Sequence, residues 1–193
     1  MNHEPKIVLE TDRLILRTWI QEDIDKLAVM NMDPRVMEYF PSTQDYQTTV
    51  KLIKHSNNLF NQHGFCLYAT ELKETGEMIG FVGLNIPDFE IPNFKPIQKP
   101  IVEMGWRLAF EYWGKGYATE GAKAVLDQGF NTLNLKEIVA FTPFNNLRSR
   151  RVMEKIGLKH NEKDDYDAKS FDENNPAKRQ VLYRLKREEY LKS

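Results

Sequence analysis

Apolar residues recur along this chain in two periods, and the switches between them mark its elements. Residues 13–19, RLILRTW, alternate incompletely around Leu14 and Leu16 and predict a first strand. Residues 21–31 place Ile24, Leu27 and Ala28 on one helical face, and Asp33-Pro34 ends that helix. A second helix is expected over 46–62, with Val50, Ile53 and Phe60 at helical spacing and His63-Gly64 closing it. Strands over 65–72 and 77–84 are joined by K-E-T-G, where Gly76 suits a positive φ. Residues 86–100 hold four prolines with Phe89 and Phe94, which predicts a loop because proline cannot donate to a ladder. Functional and plain surface readings of that loop both stand. Later come a strand over 102–108, a helix with Ala118, Ala122, Val125, Leu126 and Phe130 inward, and a strand over 136–142. A helix with Val152, Met153 and Ile156 inward stops at Gly157, and a final strand spans 181–186.

The turn between the 102–108 strand and its helix, W-G-K-G-Y-A over 113–118, carries the candidate chemistry. A helix start leaves backbone N–H groups without intrahelical acceptors, and its dipole favours negative charge. Gly114 and Gly116 permit positive φ and close approach of a diphosphate, and Lys115 adds a point charge. A nucleotide P-loop fails here, with Ala109 at its first glycine and Gly116 at its Ser/Thr. A dinucleotide fingerprint fails at Thr119, where its third glycine belongs. Taken alone, two glycines in a turn also fit a conformational role.

Composition narrows the class. At 193 residues, 41% hydrophobic and 28% charged, one soluble globular domain over 1–193 is expected. A net charge of −1 supplies no footprint for nucleic acid or anionic membrane. One cysteine, Cys66, excludes an internal disulfide and, with no signal-peptide pattern and no long apolar run, points to the cytoplasm. His3, His55, His63 and His160 have no metal-ligand spacing, so no metal is expected. The run after Gly157 is acidic (Glu162, Asp164, Asp165, Asp167, Asp172, Glu173), either a solvated loop or a surface that draws a cationic amine.

With these motifs in place, the chain resembles the GNAT N-acetyltransferase superfamily, and within it the RimJ/RimL type of ribosomal-protein N-terminal acetyltransferases. The resemblance rests on TDRLILRTW, VEMGWRL, the loop with Thr119-Glu120, and T-P-F-N-N-L-R-S-R-R-V-M-E-K-I-G. Against the superfamily loop pattern [Q/R]-x-x-G-x-[G/A], Gly116 and Ala118 match, while Trp113 stands at the Gln/Arg position. The resemblance implies an α+β (α/β) acyl-CoA N-acyltransferase fold, with a mixed, mostly antiparallel sheet of about seven strands flanked by helices. It implies acetyl-CoA as co-substrate, an amine acceptor of open identity, and a possible homodimer. Cofactor contacts are expected at Leu108, Ala109, Trp113, Gly114, Lys115, Gly116, Tyr117, Ala118, Thr119, Asn146 and Ser149, with the 102–108 strand splaying from the next to pair with the pantetheine arm.

Direct acetyl transfer to a primary amine needs a base, since an α-amino group (about 8) or lysine (about 10.4) is mostly protonated at neutral pH. Glu103 is the expected base, with a salt bridge, for instance to Arg107, as its alternative role. Ser149 is expected by the resemblance to protonate the departing thiolate; a helix N-cap is its alternative. Tyr183 is a further possible proton donor, with half-buried packing as its other role. An acetyl-enzyme on Cys66 is disfavoured by its hydrophobic surroundings. The competing functional class is an acetyl-CoA-binding sensor without turnover.

Overall fold

Leu14 and Leu16, the apolar positions of the first expected strand, are fully buried on β2 (Leu14–Arg17). The computed structural model describes residues 4–92 and 94–192. They divide into two units, one from residues up to 38, 42–85 and 105–125, the other from 39–41, 86–104 and 126 onward.

In the first unit β1 (Ile7–Glu10), β2, β3 (Leu67–Leu72) and β4 (Met78–Asn85) pair as successive antiparallel neighbours. Strand β1 lies outside the expectation: four residues at an edge, only half-buried, show no alternation to read. Helices α1 (Asp23–Met32) and α2 (Tyr46–His63) cover this sheet. Their inward residues Ile24, Leu27, Met30 and Ile53 join Trp19, Ala69 and Phe81 in one apolar core. Asp45 caps α2 by accepting from Thr48 N, and Gly64, at φ 75°, ends it. A buried fork sets the entry to α1: Arg17 bonds both oxygens of Asp23 at 2.7 and 2.9 Å, and Asp23 also accepts from Ile20 N. That pairing starts the helix at Asp23 rather than at Gln21.

In the second unit β6 (Glu137–Pro143) pairs antiparallel with β9 (Arg179–Lys186) along its whole length. Two short strands, β7 (Lys159–His160) and β8 (Tyr166–Asp167), add to β9 from the segment expected to be acidic loop. Strand β5 (Glu103–Leu108) begins here and runs parallel to β6, with Glu103 opposite Val139. The other recorded pairs are antiparallel, so the class is α+β with a mixed, mostly antiparallel sheet; nine strands are described against about seven expected. Helix α3 (Tyr117–Asp127) continues into one wider turn, Gln128–Thr132, and α4 (Leu147–Lys155) and α5 (Arg187–Tyr190) complete the set.

Among its described residues the proline-rich stretch forms no strand, as expected, and part of it is packed. Ile91 and Phe94 are buried with Val139, Tyr166 and Leu182. Glu137, itself buried, accepts from Ile97 N at 3.1 Å and pairs with Arg184, whose guanidinium lies over Phe94. A buried carboxylate held by a guanidinium and a backbone N–H fixes this stretch onto β6. The acidic segment is likewise engaged: Asp164 bonds Arg184, Asp165 bonds His160, and Asp167 bonds Arg179. Three of its carboxylates are thus paired within the unit, while Glu162, Asp172 and Glu173 face solvent.

Candidate functional site

Strand β5 delivers the glycine turn. After Leu108, Ala109 N–H bonds Ile79 O at 2.9 Å and Ala109 O accepts from Tyr112, closing a short helical turn, Phe110–Tyr112. Trp113 folds back: its indole N–H donates to Leu108 O at 2.8 Å, its backbone N–H to Phe110 O, and its ring packs on the first unit's core. At the expected cofactor-contact positions, Leu108 O, both polar groups of Ala109 and the Trp113 N–H have partners within the chain. Trp113 anchors the turn from below.

The turn itself is exposed at residues 114–116. Gly114 and Gly116 sit at φ 75° and 86°, the left-handed region that costs a side-chain-bearing residue roughly 1–2 kcal/mol. The first α3 bond runs from Glu120 N to Gly116 O. The amides of Tyr117, Ala118 and Thr119 thus occupy the first turn of α3, where no intrahelical acceptor exists. Positive-φ glycines followed by a helix start make an anion-binding nest. Helix α3 comes close to β4 through Gly121, where a Cβ would stand 3.3 Å from Val82.

Sequence reasoning missed what holds this nest. Arg13, just before β2, donates through Nε to Glu120 Oε2 at 2.7 Å and through Nη1 to Lys115 O at 3.1 Å. Its Cζ lies 4.5 Å from the centre of the Tyr117 ring, and a Cβ on Gly116 would meet its Nη2 at 3.4 Å. Thr11 Oγ1 and Arg13 N–H also donate to Glu120. Burial alone would raise the Glu120 carboxyl, but these donors outweigh it and hold the group below its ordinary value. Lys115 Nζ stands 5.3 Å over Tyr112, whose phenol, bonded to Glu77, is pushed up to about 12. No periodicity marks Arg13; its only trace in the sequence is the TDRL string.

The second unit brings Glu103, Asn146 and Ser149 to its own sheet. Glu103, half-buried, shares the face of Val139 with Phe141 and Tyr166. Burial pushes the Tyr166 phenol well above its ordinary value, and the Glu103 charge adds to the shift. The cap of α4 is Asn146, not Ser149: Asn146 Oδ1 accepts from Ser149 N at 3.2 Å. Asn146 Nδ2 donates to Thr142 Oγ1 at 3.0 Å and to Ser149 Oγ at 3.2 Å. Both amide hydrogens are committed, and the Ser149 oxygen is an acceptor whose own proton points elsewhere. Tyr183 is buried, donating to Glu154 and accepting from Arg150.

Back in the first unit, Arg107 is buried with hydrogen bonds to Asn31 Oδ1 (2.7 Å) and Gln44 Oε1 (3.1 Å), and burial pulls its guanidinium down to about 10. Cys66 is fully buried, and burial pushes its thiol far up. No group of three His, Cys, Asp or Glu able to hold a metal occurs among the described residues. No helix among them is long and apolar enough to cross a membrane.

A strand-to-helix turn with two positive-φ glycines ahead of a helix start, in an α+β fold with a mixed sheet, is a geometry suited to an anion. The family model described as Acetyltransferase (GNAT) domain matches residues 13–159, and the chain belongs to that family of acetyltransferases. It is 35% identical over 161 residues to the uncharacterized protein YkkB of Bacillus subtilis, covering 82% of this chain and 87% of that one. It is 32% identical over 152 residues to the uncharacterized N-acetyltransferase p20 of Bacillus licheniformis, covering 78% and 81%. Among solved structures, spermidine N-acetyltransferase from Vibrio cholerae in complex with CoA and spermine matches with a TM-score of 0.70 at 20% identity, over 94% of this chain and 99% of that one. The protein is thus an acetyltransferase of the GNAT fold, and acetyl-CoA is the family's donor.

Proposed function

We propose that this protein transfers acetyl from acetyl-CoA to a primary amine by direct attack in a ternary complex, with a substrate range of the RimJ/RimL type. The observation that carries the reading is the amide nest at Gly114–Thr119, with Arg13 fixed beneath it. The diphosphate of CoA would lie on the amides of residues 114–119, with Lys115 at its edge. One family model runs through residues 13–159, which supports treating the two units as one acetyltransferase domain.

The chemistry assigned to this chain's residues is short. Glu103 takes a proton from the bound ammonium, and the amine nitrogen attacks the thioester carbon. A backbone N–H of β5 steadies the oxyanion of the tetrahedral intermediate. As the C–N bond completes, the nitrogen gives its second proton to solvent, the C–S bond breaks and the thiolate leaves, and Glu103 returns its proton to solvent. Ser149, its oxygen fixed by Asn146, supplies the thiolate proton and regains one from solvent. The geometry of Asn146 favours a positioning role, through Ser149, over direct contact with the cofactor.

Calorimetry with CoA and a thiol-release assay with acetyl-CoA and an amine panel test the reading. Wild type is expected to bind CoA and release thiol only with an amine present. Gly116→Asp, which adds bulk at φ 86° and negative charge at the nest, is expected to lose binding while keeping its circular dichroism. Unchanged CoA affinity in that variant would remove the nest assignment. Tight acetyl-CoA binding without turnover on any amine would make the protein a sensor instead.

A further inference from the structure

The Asn146 amide lies between two hydroxyls. Its Nδ2 donates to Thr142 Oγ1 at 3.0 Å and to Ser149 Oγ at 3.2 Å, while its Oδ1 accepts from Ser149 N at 3.2 Å. Two of these bonds go to one residue in the first turn of α4, and the third goes to the sheet. Thr142 is 6% exposed and stands on β6 opposite Val181 of β9. Its branched side chain has little freedom at χ1, so Thr142 Oγ1 is an acceptor of fixed position.

A carboxamide needs such a point. The last torsion of an asparagine side chain has no steep wells, so partners rather than the chain itself set the amide plane. With one Nδ2 hydrogen held on Thr142 and Oδ1 held on Ser149 N, the second hydrogen falls on Ser149 Oγ. That bond occupies a lone pair of the serine and leaves the serine's own proton for another acceptor. A hydroxyl that accepts one hydrogen bond is polarised to donate a stronger one. The three residues are consecutive links of one short chain: sheet, amide, hydroxyl.

We infer that Thr142 is a positioning residue of the transfer: by fixing the plane of the Asn146 amide it presents the Ser149 O–H to the departing thiolate. The inference rests on the proposed role of Ser149 as the proton donor. The step is the same one. The proton leaves Ser149 Oγ for sulfur as the C–S bond breaks, the serine regains one from solvent, and no proton leaves Thr142 or Asn146.

A threonine that merely satisfies a buried amide would alter stability without acting through Ser149. Thiol release from acetyl-CoA is followed in single turnovers with n-butylamine, spermidine and a serine-initiated tetrapeptide, keeping the amine that wild type uses fastest. Thr142→Val, which keeps the shape and removes the acceptor, is expected to slow release about 5-fold, with KM for acetyl-CoA within about 2-fold of wild type. Thr142→Ser, which returns the hydroxyl, should recover most of the rate. In a Ser149→Ala background, itself slowed, Thr142→Val should add no further loss. Thr142→Ala carries the same comparison where circular dichroism shows the valine variant unfolded. A rate unchanged by removing the hydroxyl, no recovery with serine, or an equal loss with and without Ser149 overturns this inference and leaves Ser149 as the donor. A wild-type rate in Ser149→Ala overturns the donor and Thr142 together, and a wild type that uses none of the three amines overturns both along with the proposed turnover.

Discussion

Arg13 and Glu120 stand 107 residues apart in sequence and meet as a fork, Nε and Nη2 of the arginine on Oε2 of the glutamate at 2.7 and 2.6 Å. The remaining guanidinium nitrogen holds Lys115 O, so one side chain ties β2's entry, the glycine turn and α3 together. A nest whose amides are already aimed loses less order when an anion arrives. Arg13→Ala is therefore expected to weaken CoA binding by about 10-fold or more, the worth of one charge-assisted contact of roughly 1.5–3 kcal/mol. Arg13→Lys, which keeps charge but not the planar fork, should recover only part of the loss. Calorimetry with CoA, read beside an unchanged far-UV spectrum, checks both.

The same pair gives stability a pH dependence. Glu120 sits below its ordinary value of 4.5 in the folded protein, because the donors from Thr11 and Arg13 outweigh its burial. A depressed carboxylate contributes fully above its unfolded value and loses that contribution as pH falls through the folded one. Urea denaturation of wild type and Glu120→Gln should thus differ by a constant amount from pH 7 to about 5, with the gap closing on further acidification. A gap that persists unchanged to pH 3 would assign the pair no such role.

Asn146 joins stability and the proposed chemistry in one amide, and substitution can separate them. Asn146→Ala removes the α4 cap and the donors to Thr142 and Ser149, for an expected loss of about 1–2 kcal/mol. Asn146→Asp keeps an acceptor for Ser149 N and so restores most of that stability. It cannot donate to the Ser149 oxygen, so its kcat should stay low while KM for acetyl-CoA is near wild type. Full recovery of kcat in the aspartate variant would reduce Asn146 to a cap.

The contrast between what was and was not legible follows the range of the interactions. Periodicity marked Leu14, Leu16, Ile24, Leu27 and Ile53 correctly as inward, because each faces one core whichever partner it meets. The glycine turn was legible for a local reason, since φ above zero and a helix start are written in adjacent residues. Strand β8 was not, because two residues pair only once β9 is beside them. Long-range polar pairs escaped entirely. Arg13 with Glu120, and Glu137 with Arg184, join residues whose charges look like ordinary surface until the fold closes. The cap offered as the alternative role of Ser149 falls to Asn146 for a smaller reason: Asn and Ser both cap helices, and three residues separate them.

Cys66 decides between two routes for the acetyl group. A covalent route needs a thiolate that acetyl-CoA can reach, yet Cys66 is fully buried just before β3 and its thiol is pushed far up by that burial. Gly83 packs closely against the same backbone, where a Cβ on it would stand 2.0 Å from Cys66 O. Iodoacetamide should label the folded protein at least roughly 100-fold more slowly than the urea-unfolded chain, since reaction must wait for opening. Cys66→Ala should cost about 1–2 kcal/mol of stability for the small cavity and leave kcat unchanged. Initial-rate plots against acetyl-CoA at several amine concentrations should then intersect, as sequential binding requires, where an acetyl-enzyme would give parallel lines. Parallel lines, with turnover abolished in a folded Cys66→Ala variant, would return the acetyl group to the thiol and take the base role from Glu103.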